Sequence, residues 1–400
     1  IRASWARVGN STVDPYQTRN AFTLLAAPAV NFNGNQVAMA SYATAGNNNG
    51  TIPNPNLMPL LSTEIELGFD VRLLQNRLGL DFTYYHQNST EDQLNAQISR
   101  ASGFGSTLVN LGEMENKGVE ILLTGSPIRT SDFNWDVSFN IARNRNKVIS
   151  LIEGTDILNV EEPRTRTVFV QHRTGQPFGV LAGWVQQTSP DGQPVFEENG
   201  APVQSSQMEV IGNGIPDFTG GFSNSITYKG FNLSALIDFR VGGEIYSGTN
   251  VRLTQWGLHK QTLQGREGEE PLTVSGVIQS GTTSDGKPIY EDFTKTLSPG
   301  EANNYWNQMG NRVQDHFIYD GSFAKLRQIT FGYNFPRRLM EKTPFTNVSL
   351  SFVGRSLSIL WKNVDNVDPE SGYSSGNGQG LDYFGMPQSR SYGFNLRASF

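Results

Sequence analysis

Phe231-Asn-Leu-Ser-Ala-Leu-Ile-Asp-Phe-Arg240 sets Phe231, Leu233, Ala235, Ile237 and Phe239 at every second position, with Asn232, Ser234, Asp238 and Arg240 among the residues between. A period of two is the signature of a strand with one apolar and one polar face, because successive side chains point to opposite sides. The same pattern runs through Ile65, Leu67, Phe69, Val71 and Leu73, then through Leu78, Leu80, Phe82 and Tyr84. It returns in Phe133, Trp135, Val137, Phe139 and Ile141, and in Tyr392, Phe394, Leu396, Ala398 and Phe400. A soluble sandwich would show this alternation too, so something else must separate the two architectures.

Segment and connection lengths do so. Strands are expected near 1–8, 62–73, 78–89, 117–125, 132–146, 219–228, 231–241, 324–335, 347–358 and 391–400. Most approach the roughly 9–11 residues that carry a tilted strand across a bilayer, whereas globular strands average about five or six. Short connections (74–77, 126–131, 229–230, 336–346) alternate with long ones (9–61, 90–116, 147–218, 242–323, 359–390). That sorting predicts an all-β chain, an antiparallel transmembrane β-barrel with short periplasmic turns and long extracellular loops. Aromatic residues should then gird the short-turn side, and Tyr228, Phe231, Tyr333, Phe335, Phe345, Phe133, Trp135 and Phe400 all fall there.

Composition agrees. Of 400 residues 42 are Gly, and 11% are aromatic, which suits strands and turns. There is no cysteine, which excludes disulfides, thiolate metal sites and a cysteine nucleophile. The net charge of -6 argues against a nucleic-acid partner. No run nears the roughly 18 apolar residues of a membrane helix. Ile1-Arg-Ala-Ser-Trp-Ala-Arg-Val8 reads as the middle of a strand, so the numbering is expected to begin inside a longer protein. Loop stretches such as Gly46-Asn-Asn-Asn-Gly50 and Ser371 to Gly380 read as solvated surface.

Several segments resemble the SusC/RagA family of TonB-dependent outer-membrane transporters. Asn110-Leu-Gly-Glu-Met-Glu-Asn-Lys-Gly-Val-Glu120 is similar to a hallmark of that family, as are Gly175-Gln-Pro-Phe-Gly179 and Ile215-Pro-Asp-Phe-Thr-Gly-Gly-Phe222. Tyr319-Asp-Gly-Ser-Phe-Ala-Lys-Leu-Arg-Gln-Ile-Thr-Phe-Gly-Tyr333, Asp368-Pro-Glu370 and the final strand to Phe400 extend the likeness over the whole chain. The resemblance implies a barrel of about 22 strands, of which residues 1–400 would be the C-terminal part. It implies a plug domain and a TonB-interacting segment elsewhere in the protein, and a SusD-like surface lipoprotein over the mouth. It also implies uptake of oligosaccharide or peptide driven through TonB. The alternatives are a passive porin-like diffusion channel and the barrel of a surface or secretion complex.

No catalytic residues are expected, and the chain is not read as an enzyme. His86, His172, His259 and His316 are scattered without metal spacing, and no nucleophile elbow or phosphate loop stands out. No cofactor is expected. Asp365, Asp368 and Glu370 have oxygens that suit calcium, but solvated loop acids explain them more simply. Trp184, Tyr246, Trp256, Tyr305 and Trp306 lie in the two longest loops and are candidates for ligand or lid-protein contact. The competing reading is that they pack those loops into small cores. Glu64, Glu66, Asp70, Arg72, Asp238 and Arg240 are expected to face the lumen and the plug. Tyr392, Phe394, Leu396 and Phe400 are expected to form the strand that signals barrel assembly, with outer-membrane lipid on the apolar side.

Overall fold

The computed structural model describes the chain apart from residues 11–17, 20–21, 25–28, 31–35, 38–39, 43–50, 100–105, 153, 162–163 and 373–377. Residues 46–50 and the middle of 371–380, expected to be solvated loop, therefore lie outside the described residues.

Ten strands form one antiparallel sheet in which each pairs with the next of the ten along the chain. They are β1 Arg2–Asn10, β2 Leu60–Leu73, β3 Leu78–Thr90, β4 Glu113–Arg129, β5 Phe133–Ser150, β6 Phe218–Tyr228, β7 Phe231–Val241, β8 Phe323–Asn334, β9 Asn347–Lys362 and β10 Ser391–Ser399. All ten expected segments are strands, and β1 and β10 are the sheet edges. The register fixes the faces. Leu67 lies opposite Tyr84 and Phe69 opposite Phe82, while Glu66 lies opposite Tyr85. One face is thus continuously apolar, and it is left open: Trp5 is 66% exposed, Phe331 51% and Phe394 79%. A water-soluble sheet would bury that face, whereas a barrel gives it to lipid.

The short connections are tight. Lys229 and Gly230 have φ of 45° and 91°, the left-handed pair of a two-residue hairpin. A Cβ on Gly230 would also meet the Asn334 carbonyl at 2.8 Å. Around these turns the aromatics touch: Phe231 lies 4.5 Å from Tyr333, and Tyr333 lies 5.2 Å from Phe335. Trp135 donates its indole N–H to Asn224 Oδ1 at 2.6 Å.

β4 and β5 are 17 and 18 residues long, more than a bilayer requires. Their extra length is of two kinds. Toward the short turn, β4 continues through a register shift between Gly125 and Ile128, where Pro127 cannot donate to the ladder. Toward the long loops, both strands run past the apolar zone: Met114 and Val148 pack on the inner face into a small buried core with Leu111 and Leu158, while the outward face carries charges and its alternation fades.

The long loops do not stay loose. Those of 147–218 and 242–323, with residues 363–390, build a module with its own core. That core contains Val168, Leu181, Tyr246, Val251, Trp306 and Phe317, all buried. Two helices belong to it, α1 Gly248–Gln255 and α2 Pro299–Arg312. α2 starts where Ser298 and Glu301 cap each other reciprocally, with Pro at the first turn.

Candidate functional site

The polar face of the wall and the loop module meet at a cluster of charges. Lys325 on β8 donates to Asp368 Oδ1 at 2.5 Å and to Glu370 Oε2 at 2.6 Å. Arg327, two positions along the same face, bonds Glu370 and donates to Asp238 Oδ1 of β7 at 2.6 Å. It also donates to Gln388 Oε1 at 3.0 Å. Five charged side chains thus clamp the loop after β9 onto the wall. Burial pushes the Asp368 carboxyl up, but the bonds from Lys325 and the Glu370 backbone N–H outweigh it, so it stays below the usual range. Beside the clamp is a cavity of about 260 Å³, lined among others by Arg327, Ser356, Ser358, Gln388 and Arg390. This corrects the reading of Asp368 and Glu370 as solvated loop acids: both are engaged by cations of the wall. Asp365 accepts at its backbone carbonyl from Val367 N–H and Asn250.

Glu64, Glu66, Asp70, Arg72, Asp238 and Arg240 all lie on the polar face in the register of β2, β3 and β7. Asp70 sits directly opposite Asp81, a costly like-charge pair. Arg2 relieves it by a two-pronged contact to Asp81, at 3.0 and 2.5 Å, and approaches Glu66 at 3.4 Å. Arg240 donates to the Gly214 carbonyl, leaving its Nε buried and without a partner among the described residues. Nearer the loops, Tyr85 donates to Asn144 Oδ1 at 3.1 Å, and Asn144 donates to Asn116. Gly118 is needed there, since a Cβ would sit 2.5 Å from the Tyr85 hydroxyl.

The loop aromatics divide by burial. Tyr246 is fully buried, bonded to Gln314 and Thr167, and Trp306 is buried with its N–H on the Gln264 carbonyl. Both pack in the module's core, the competing reading for the loop aromatics, and Trp306 also lines a cavity of about 40 Å³ with Thr262, Gly265 and Asn303. Tyr305 packs edge-on against Trp306 at 5.0 Å, and burial pushes its hydroxyl up to about 12. Trp184 is half-buried against Phe169. Trp256 is different. It is 63% exposed at the end of α1 and stacks on Phe384 at 6.3 Å, with Leu258 68% and Met386 91% exposed beside them in sequence. Phe384 is held there by its backbone N–H on Thr249 Oγ1 at 2.7 Å. Phe384 escaped sequence reading, although Leu381-Asp-Tyr-Phe-Gly-Met386 is an apolar run inside a polar loop.

Tyr392, Phe394 and Leu396 line the open apolar face of β10, and Phe400 is 91% exposed beyond it.

Residues 1–258 match the family described as TonB dependent receptor-like, beta-barrel. Two TonB-dependent receptors of Formosa agariphila are 29% and 26% identical over the whole chain, which covers 39% and 40% of them. TonB-dependent receptor SusC of Bacteroides thetaiotaomicron is 25% identical over 70% of the chain, covering 27% of that protein. A solved structure of the RagAB peptide transporter has the same fold, with a TM-score of 0.68 at 19% identity over the whole chain and 40% of its own. The chain therefore spans about two fifths of the length of the full-length relatives that it matches end to end.

Proposed function

The chain belongs to the TonB-dependent receptor family of outer-membrane β-barrels, and from that membership we propose that the whole protein actively imports a large nutrient. The ten strands supply part of the channel wall, and the loop module supplies part of its extracellular mouth. The cargo is an oligosaccharide or a peptide, drawn in by force relayed through TonB, and a SusD-like lipoprotein covers the mouth. The observation that carries this reading is the pairing of a charge-lined inner wall with a folded extracellular module in a chain of this family. Arg2, Glu66, Asp70, Arg72, Asp238 and Arg240 give the lumen fixed charges of both signs, suited to a plug or a polar solute rather than an apolar one. The exposed Trp256–Phe384 pair is the surface for the lipoprotein or the cargo, because aromatic faces stack on sugar rings and anchor protein interfaces.

The test is uptake by cells carrying the full-length protein. Import should stop when the proton gradient is collapsed and when TonB is removed. Uptake surviving both treatments would make the protein a diffusion channel. Co-purification with several unrelated secretion proteins, in place of one lipoprotein, would assign it to a surface complex.

A further inference from the structure

On β4 and β5 the lipid-facing surface changes character at one height. From the short-turn end β5 presents Trp135, Val137, Phe139 and Ile141 outward, and the same face continues with Arg143, Arg145 and Lys147. The register sets Val119 opposite Arg143, Lys117 opposite Arg145 and Glu115 opposite Lys147. Opposed and diagonal neighbours in a sheet lie about 4.5–8 Å apart, so four cations share one small patch.

Of the four, Lys117 alone has an ion pair among the described residues. Glu115 is taken by Lys117 at 2.8 Å and by His86 at 2.9 Å, while Glu113 accepts from Asn88 at 2.6 Å. Among the described residues Arg143, Arg145 and Lys147 form no ion pair. Arg143 packs its guanidinium 5.0 Å from the Phe218 ring centre, and its Nε is buried with no hydrogen-bond partner among the described residues. Lys117, Arg145 and Lys147 are exposed.

Height identifies what they meet. Phe133 to Ile141 is about the length of tilted strand that crosses the hydrocarbon, so Arg143 emerges at the outer-leaflet interface and Arg145 and Lys147 just above it. Charges cost little at that depth but about 2–4 kcal/mol at mid-membrane. Scattered interfacial cations would need no specific partner, because long side chains reach water by themselves. Here they are not scattered. At the corresponding ends of β6 and β7 the outward pair is Phe218 and Val241. The outer leaflet of a bacterial outer membrane consists largely of phosphorylated glycolipid, and guanidinium groups take phosphate through two parallel bonds.

We propose that Lys117, Arg143, Arg145 and Lys147 dock the phosphate-bearing headgroup of an outer-leaflet glycolipid against the outside of β4 and β5. The assignment rests on the barrel's orientation in the membrane and not on what the protein imports. It is tested with the full-length protein in phosphatidylethanolamine nanodiscs doped with lipid A, followed by native mass spectrometry. The wild type should retain diphosphoryl lipid A and release its dephosphorylated counterpart. Arg143→Gln/Arg145→Gln should retain on the order of tenfold less, while Lys229→Gln at the opposite rim should behave as wild type. Equal retention of the two lipids by the wild type, or undiminished retention by the double variant, would overturn the proposal. So would displacement by inorganic phosphate, which would reassign the patch to a free anion. Should the double variant fail to insert, the two-lipid comparison on the wild type decides alone. Loss of import with lipid retention intact would count against the transport reading only.

Discussion

Lys325, on the inner face of β8, and Asp368, in the loop after β9, form an ion pair with Nζ 2.5 Å from Oδ1 and both side chains almost wholly buried. The two residues lie 43 positions apart. They belong to Tyr319–Tyr333 and Asp368–Glu370, two stretches that look unrelated in sequence and are one device in space. Burying both charges is costly, and the cost is offset only when every remaining partner is in place. Glu370 and Arg327 supply that completion, and Asp238 ties the far end to the neighbouring strand.

Removing one partner should therefore do more harm than removing both. Lys325→Met leaves Asp368 buried and uncompensated, at about 3–5 kcal/mol. The damage should stay local, as fast protease nicking within 363–390 while the folded wall keeps its heat-dependent gel mobility. Lys325→Met/Asp368→Leu should recover part of the protection. Equal nicking in wild type and Lys325→Met would show that the pair does not hold the loop.

The faces of the wall make a second test. Leu233 and Ile237 point to lipid, while Ser234 lies opposite Ser225 on the inner face. Arg at Leu233 or Ile237 should cost about 2–4 kcal/mol and lower the amount of folded barrel. Arg at Ser234 should be tolerated. Similar losses at all three positions would reverse the assignment of faces.

The wall was legible because lipid enforces alternation across the whole span. In β7 every outward residue must be apolar, so its limits are read from residues 231 to 241 directly. Where the solvent changes, the signal goes. Glu113 to Asn116 and Lys147 to Ser150 extend β4 and β5 beyond the expected 117–125 and 132–146, where Met114 and Val148 are covered by loop residues instead of alternating against lipid, and nothing in their pattern marks them as strand. The module was harder still, since its core gathers Val168, Tyr246, Trp306 and Leu381 from three separate loops. A local signal for α2 did exist in Ser298-Pro-Gly-Glu301. The Lys325–Asp368 pair had none, because sequence lists charges without saying which of them a fold brings together.

His172 provides a pH test of that module. Its ring is buried against Phe178, and Nδ1 accepts the Gly179 N–H at 3.2 Å, fixing the turn Gly175 to Gly179 above β5. Burial lowers its pKa from 6.5 to about 4. Between these values the unfolded chain binds the proton and the folded module does not, so stability is full above pH 6.5 and falls as the pH drops toward 4. The loss approaches about 3 kcal/mol once both states are protonated. Amide exchange in Val168–Arg173 should speed up over that window in the wild type. His172→Asn, which keeps an acceptor without the titration, should flatten the profile, and an unchanged profile would remove His172 as its cause.

The exposed aromatic pair makes the last test, of partnership. Trp256 and Phe384 contribute little to the module's core: Trp256 is 63% and Phe384 46% exposed. Trp256→Ser/Phe384→Ser should therefore leave folding and outer-membrane level close to wild type, in contrast to Tyr246→Ser, which opens the core. If the pair anchors the surface lipoprotein, the lost aromatic contacts should cost roughly 2–4 kcal/mol of binding, as for a central interface anchor. That loss would be read as lipoprotein missing from the purified complex. If the pair grips cargo instead, the complex should stay whole and uptake at limiting substrate should fall. A variant normal in both respects would leave the patch as bare surface. The core residue Tyr246 serves as the control, because its loss should lower the amount of assembled protein before either partner is measured.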